Sequence, residues 1–153
     1  MMGYSAALEA AGCKVLAFNE FGSYQGVWLA FVEYKNEFGI VEGSYGSCSG
    51  CDAFQAEFDH GEEYLQEDGK YYKGWYANPD YEITEEEYNE GVKAEHQRLV
   101  DFGFRYVRNG LYDQAHYEHR ISLLEESEWF DIETKEICDW ALSRFKTISD
   151  ENY

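Results

Sequence analysis

Eight consecutive residues, Val27-Trp28-Leu29-Ala30-Phe31-Val32-Glu33-Tyr34, constrain the fold more than any other stretch of this chain. The run is dense in β-branched and aromatic side chains, which suit a pleated, packed surface. It reads as a strand. Lys35-Asn36-Glu37 closes a hairpin, and Phe38-Gly39-Ile40-Val41-Glu42-Gly43 returns as the partner. Upstream, Lys14 to Phe18 reads as another strand, followed by a turn region over residues 19–23. Three short strands with short links describe an antiparallel meander. Before them, residues 5–11 favour a short helix, with Ser5 placed to cap it and Gly12 to end it in the left-handed conformation.

After the strands the pattern changes. Residues 44–52 are dense in Gly and Ser and form a loop, and Ala53 to Phe58 fits one or two helical turns. From Asp59 to Asp80 periodicity fails. This reads as a long irregular link anchored by Tyr64, Tyr71, Tyr72, Trp75 and Tyr76. Thr84-Glu85-Glu86-Glu87 is a capping box, and the stripe Tyr88, Val92, Leu99, Phe102 and Tyr106 predicts a helix of about six turns. Asn109-Gly110 breaks it. Residues 112–126 predict a second helix with Ala115, Ile121 and Leu124 inward. Asp131 caps a third through about Ile148, with Ile132, Ile137, Trp140, Ala141, Phe145 and Ile148 as its stripe. The expected fold class is α+β: a small antiparallel three-stranded sheet followed by a helical C-terminal half, in a single domain of 153 residues around one core. Its parts are a sheet-containing region 1–58, the irregular link 59–80 and a helical region 81–148.

Charge narrows the function classes. The chain has 31 acidic residues against 12 Lys+Arg, a formal net charge of -19. With 18% aromatic residues it is too rich in rings for an acidic disordered chain. A surface so poor in Lys and Arg argues against direct capture of nucleic acid or anionic lipid. No apolar run is long enough to span a bilayer. The start, Met1-Met2-Gly3-Tyr4, does not read as a secretory signal, so thiols are expected to stay reduced. The excess is uneven: residues 52–95 carry 14 acids and 3 bases. Glu85 to Glu87 suit a helix first turn, where the dipole favours anions. Glu57, Asp59, Glu62, Glu63, Glu67 and Asp68 have no such local reason, and Glu82, Glu86 and Glu90 follow at helical spacing on one face. A solvated, soluble surface accounts for such a run. So does mimicry of nucleic acid. Carboxylates four residues apart on a helix are separated by about 6 Å along its axis. Two such rows approach the charge density of a phosphate track, about one per 3.4 Å per strand. Glu125, Glu128 and Glu136 are candidates for a second acidic area. A partner that grips nucleic acid with Lys and Arg would be steered onto such a surface, with exposed tyrosines as stacking faces.

Cys13 and Cys138 lie in apolar patterns and read as buried hydrophobes. Cys48 and Cys51 differ. Ser49-x-x-Asp52 is a capping signal that would place Cys51 in a helix first turn, where the dipole favours thiolate. Cys-x-x-Cys is also half of a zinc site, and His116-x-x-His119 offers another half, although the 64 residues between them fit no common finger. A thioredoxin-like redox role lacks the parallel βαβ unit. A tight loop, with Gly46 and Gly50 permitting unusual dihedrals, explains the same residues without chemistry. His60 and His96 complete no catalytic spacing, and His96 falls near the apolar stripe of its helix as a core or boundary residue. No phosphate-binding loop or His-Glu-x-x-His is present.

The stretches Ala11 to Leu16, Tyr24 to Trp28 and Gly43-Ser44-Tyr45-Gly46-Ser47-Cys48-Ser49-Gly50-Cys51-Asp52-Ala53-Phe54 resemble a group of small proteins of bacteriophages and mobile elements. These share a Gly-Ser-Cys-Ser-Gly-Cys-Asp-x-Phe motif and mostly lack an assigned activity. The resemblance covers about the first third of the chain and carries over no functional residue. It implies a phage setting in the cytoplasm of an infected or lysogenic bacterium. There, small acidic proteins often inhibit host defence, as anti-CRISPR and anti-restriction proteins do. The expectation is a non-enzymatic, cofactor-free protein. Its carboxylates at 57–68 and 82–90 occupy the nucleic-acid surface of a host defence nuclease such as a CRISPR effector. The alternative is a zinc-binding or thiol-active protein built on Cys48 and Cys51.

Overall fold

The computed structural model describes residues 2–47, 52–58, 63–74, 76–127 and 131–151. Helix α1 (Met2–Ala10) opens the chain. It begins earlier than expected, so Ser5 lies inside it rather than at its cap. Its end is as read: Gly12 takes φ +104°, Gly12 N–H donates to Glu9 C=O at 3.0 Å, and Cys13 N–H donates to Leu8 C=O at 3.0 Å. These two bonds are the Schellman closure, and Leu8 and Cys13 supply its apolar contact in the same core cluster.

Strands β1 (Lys14–Gly22), β2 (Gly26–Tyr34) and β3 (Glu37–Tyr45) form the antiparallel meander in the order β1-β2-β3. Lys35 and Asn36, at φ 51° and 66°, make the two-residue turn between β2 and β3. β1 runs through the residues expected to turn, and its register slips between Val15 and Ala17, which pushes Leu16 outward. Trp28 to Val32 in the central strand are all buried. Their side chains alternate, so burial of every one requires packing on both faces.

That packing sets the architecture. Trp28, Ala30 and Val32 meet Tyr4, Leu8, Phe102 and Val107 from α1 and from α3 (Glu85–Val107). Leu29 and Phe31 meet Tyr117, Ile137, Cys138 and Ala141 from α4 (Gln114–Glu126) and α5 (Ile132–Glu151). The sheet is therefore the middle of three layers, with two cores instead of one. Gly103 lets α1 and α3 approach so closely that a Cβ at that position would collide with the Ala7 carbonyl. Cys13 and Cys138 are buried free thiols, as read.

The supposed link holds a second sheet. Short helix α2 (Ala53–Phe58) is followed by β4 (Tyr64–Glu67) and β5 (Lys70–Lys73). A 3-10 turn (Pro79–Tyr81) leads into β6 (Glu82–Ile83), and the strand order is β4-β5-β6. Asp68 and Gly69, at φ 52° and 76°, form its hairpin turn. The α3 capping box is present: Glu87 N–H donates to Thr84 Oγ1 at 3.1 Å, and Thr84 N–H donates to Glu87 Oε1 at 3.2 Å. Val92 and His96 are exposed, because the first sheet and α1 engage only the later turns of α3. Ala115 and Ile132 are exposed too, and the fully buried residue of α4 is Tyr117. No helix among the described residues is long and apolar enough to cross a membrane.

Candidate acidic interaction surface

The 23 residues of α3 make a rod of about 34 Å. Its later turns are built into the body. Its first turns carry the second sheet as an arm. Tyr71 and Tyr88 rings lie 4.8 Å apart, Tyr64 and Tyr88 lie 6.3 Å apart, and the Tyr64 ring fills the space a Cβ at Gly91 would need. Gly91 and Gly103, the two close-approach points, are roughly 18 Å apart along the axis. Residues 63–95 hold 10 carboxylates against 3 lysines.

The arm distributes its acids over several elements. Glu63 and Glu67 belong to the β4 region and Asp68 to the hairpin turn, all exposed. Glu86 and Glu90 sit one turn apart on α3, also exposed. Glu82 does not share their helical face. It lies in β6, paired with Tyr72, on the side of the small sheet opposite Tyr64, Tyr71 and Ile83. Glu57 ends up at the root of the arm in an ion pair. Arg98 reaches its carboxylate at 3.3 Å, its main-chain carbonyl at 2.5 Å and Glu95 at 2.6 Å, with the guanidinium over the Phe58 ring. Glu57 is thus partly neutralised. Asp59 and Glu62 lie outside the described residues. Tyr76 and Tyr81, 62% and 50% exposed, supply open ring faces on the arm. Tyr71 is not free in that sense: burial and the neighbouring Glu85 carboxylate raise its phenol pKa.

The second acidic area does not join this one. Glu125 and Glu136 belong to α4 and α5, in the opposite layer, with Lys135 bound to Asp139 beside them at 2.5 Å. Glu128 lies outside the described residues.

Cys48 and Cys51 also lie outside the described residues, but both ends of their loop are placed. Asp52, 2% exposed, caps α2 in place of Ser49: Gln55 N–H donates to Oδ1 at 3.0 Å. Tyr4 O–H donates to the same oxygen at 2.9 Å, and Gly46 N–H donates to Oδ2 at 2.9 Å. The helix begins at Ala53, so its first turn follows Cys51. A buried carboxylate with three donors is satisfied, and Tyr4 in turn has its phenol pKa raised, first by burial. The expected histidines are apart in character. His116 stacks on Tyr112 at 4.3 Å, while His119 is exposed. Among the described residues no group of three or more His, Cys, Asp or Glu is gathered as for a metal ion.

Two polar arrangements, one buried and one half-buried, escaped the sequence reading. One is the Asp52–Tyr4 clasp. The other joins Glu42 of β3 to α4: Tyr117 O–H donates to Glu42 Oε1 at 2.6 Å, and Arg120 donates to the same oxygen at 2.5 Å. The only signal for the second was a glutamate inside the apolar run Ile40-Val41-Glu42. Comparison with family models, curated proteins and solved structures gives no match for this chain.

Proposed function

We propose that this chain is a non-enzymatic interaction protein whose acidic arm stands in for a nucleic-acid backbone. The carrying observation is the 10 carboxylates against 3 lysines over residues 63–95, most of them exposed on one compact unit. The partner is a protein that holds DNA or RNA in a cationic groove. The phage resemblance makes a host defence nuclease in the bacterial cytoplasm, such as a CRISPR effector, the preferred class. Glu63, Glu67, Asp68, Glu82, Glu86 and Glu90 supply the charge. Tyr76 and Tyr81 offer stacking faces in place of bases. Glu57 acts instead in holding α2 to α3.

The test is binding and inhibition of candidate nucleases by a variant in which Glu67, Asp68, Glu82, Glu86 and Glu90 are all changed to Lys. Loss of inhibition with an unchanged circular dichroism spectrum supports the reading. Full inhibition by the folded variant refutes it, as does wild-type binding that is indifferent to salt, because charge-driven association weakens with ionic strength. A second reading, a zinc or thiol site at Cys48 and Cys51, is favoured by the way Asp52 ties the two ends of their loop together. Zinc analysis of the reduced protein, with Cys48→Ser/Cys51→Ser as control, decides it.

A further inference from the structure

Where the C-terminal half of α5 crosses the start of β1, helix and sheet leave a cavity of about 220 Å³. It lies on the α5 face of the sheet, apart from the arm carried by the first turns of α3. Arg144, Thr147, Ile148 and Glu151 recur at helical spacing, so one face of α5 forms its floor. Leu16 and Ala17 of β1 and Phe31 of β2 form the facing wall. The bulge between Val15 and Ala17 is what frees Leu16 for the rim, at 37% exposed. Phe31 is held from behind by the Phe145 ring at 5.1 Å and the Phe38 ring at 6.3 Å, so the apolar wall is fixed in place.

Two polar groups select an occupant. The first is Arg144. Its guanidinium lies over the Trp140 ring at 5.5 Å, its Nε is shut off from solvent with no hydrogen-bond acceptor, and it forms no ion pair with a described residue. In a chain with 31 acidic residues against 12 Lys+Arg, the fold holds this cation beside an apolar cavity without giving it a counter-ion. A guanidinium matches a carboxylate with two parallel hydrogen bonds. The second is Glu151. It lines the same cavity, yet it stands two turns further along α5, about 10 Å from Arg144 along the axis. One cation balances one negative charge on a ligand. A second negative charge would be left facing Glu151, which disfavours phosphate esters and dicarboxylates.

We propose that this cavity binds a short-chain aliphatic monocarboxylate. The carboxylate pairs with Arg144, and the chain lies among Leu16, Ala17, Phe31 and Ile148. At about 30 Å³ per water-sized group the space holds roughly seven such groups, which suits an acid of about six carbons. Each buried methylene contributes about fourfold in affinity. This inference does not depend on the acidic arm.

Titration of the full chain with hexanoate, butanoate, hexan-1-ol and adipate, read by NMR at the methyl groups of Leu16 and Ile148, tests it. Hexanoate should bind with Kd of about 1 mM or tighter. Butanoate, two methylenes shorter, should bind about fifteenfold more weakly, and hexan-1-ol and adipate about tenfold more weakly. Arg144→Gln should weaken hexanoate about tenfold and bring it level with hexan-1-ol. The proposal is overturned if hexanoate moves neither methyl signal at about 10 mM, if hexan-1-ol or adipate binds as well as hexanoate, or if Arg144→Gln leaves hexanoate affinity unchanged. Should that variant fail to fold, Leu16→Asp places a like charge at the exposed rim. It should abolish hexanoate binding read at Ile148 while leaving the melting temperature unchanged, and undiminished binding overturns the proposal.

Discussion

The layered body and the acidic arm are built by opposite means. In the body, β2 is buried on both faces, and large side chains such as Trp28, Phe31, Phe102 and Tyr117 are almost fully enclosed. In the arm, over 63–95, Tyr72 is the one buried residue among those described. The small sheet leans on α3 through tyrosine rings, while its carboxylates face water. A domain gains stability by burying apolar area, and a surface that advertises charge must forgo that burial. The contrast teaches that this chain separates the two tasks in space. It holds the fold with residues 2–45 and the later helices, and it displays charge on a unit that contributes little to the cores.

The sharpest way to break this contrast is inside the body. Trp28→Ala should cost about 4 kcal/mol in urea unfolding, since it removes a ring packed on Tyr4, Phe18 and Tyr106. A cost near that of an arm substitution would contradict the division. Asp52→Ala should cost about 3 kcal/mol, because it strands Gly46 N–H, Gln55 N–H and Tyr4 O–H together. Tyr4→Phe, which removes one of those donors, should cost about 1 kcal/mol.

Alkaline pH should weaken the body before the arm. Burial pushes the Cys13 thiol up to about 11 from an ordinary 9, and burial raises Cys138, Tyr4 and Tyr117 as well. In each case the neutral form is favoured in the folded state. The stability from Cys13 is complete below pH 9 and is lost as pH rises towards 11. Urea midpoints should fall over that window, and Cys13→Ala should flatten the fall. The smallest stability effect belongs to the arm. The fivefold Lys variant should shift the melting temperature by less than about 3 °C while abolishing partner binding. Hydrogen exchange should show β4 and β5 opening well before β2.

Much of the body was legible because its signals are local. Val27 to Val32 is an apolar run without alternation, which is how a strand covered on both faces reads. Thr84 with Glu87, Gly12 after α1, and Lys35-Asn36 between strands each announce themselves within four residues. The arm was harder. Asp68-Gly69 is a hairpin signal, yet Tyr64-Leu65-Gln66-Glu67 and Lys70-Tyr71-Tyr72-Lys73 lack clean alternation, and the strands beside it passed for irregular chain. The acidic concentration was legible, but its division between β6 and α3 was not, because Glu82, Glu86 and Glu90 keep helical spacing across a strand-to-helix boundary. Glu42 with Tyr117 was beyond reach. Its partners are 75 residues apart, and only the packing of α4 on the sheet brings them together.

One consequence follows from α3 running unbroken from Glu85 to Val107. A swing of the arm relative to the body would require breaking main-chain hydrogen bonds in mid-helix, so the arm is presented as a fixed prong and not a tether. A groove that closes on it surrenders little motional freedom from this side, and the association can draw its strength from modest contacts. Softening that spar with Ala94→Gly should loosen the complex although residue 94 carries no charge and touches neither core.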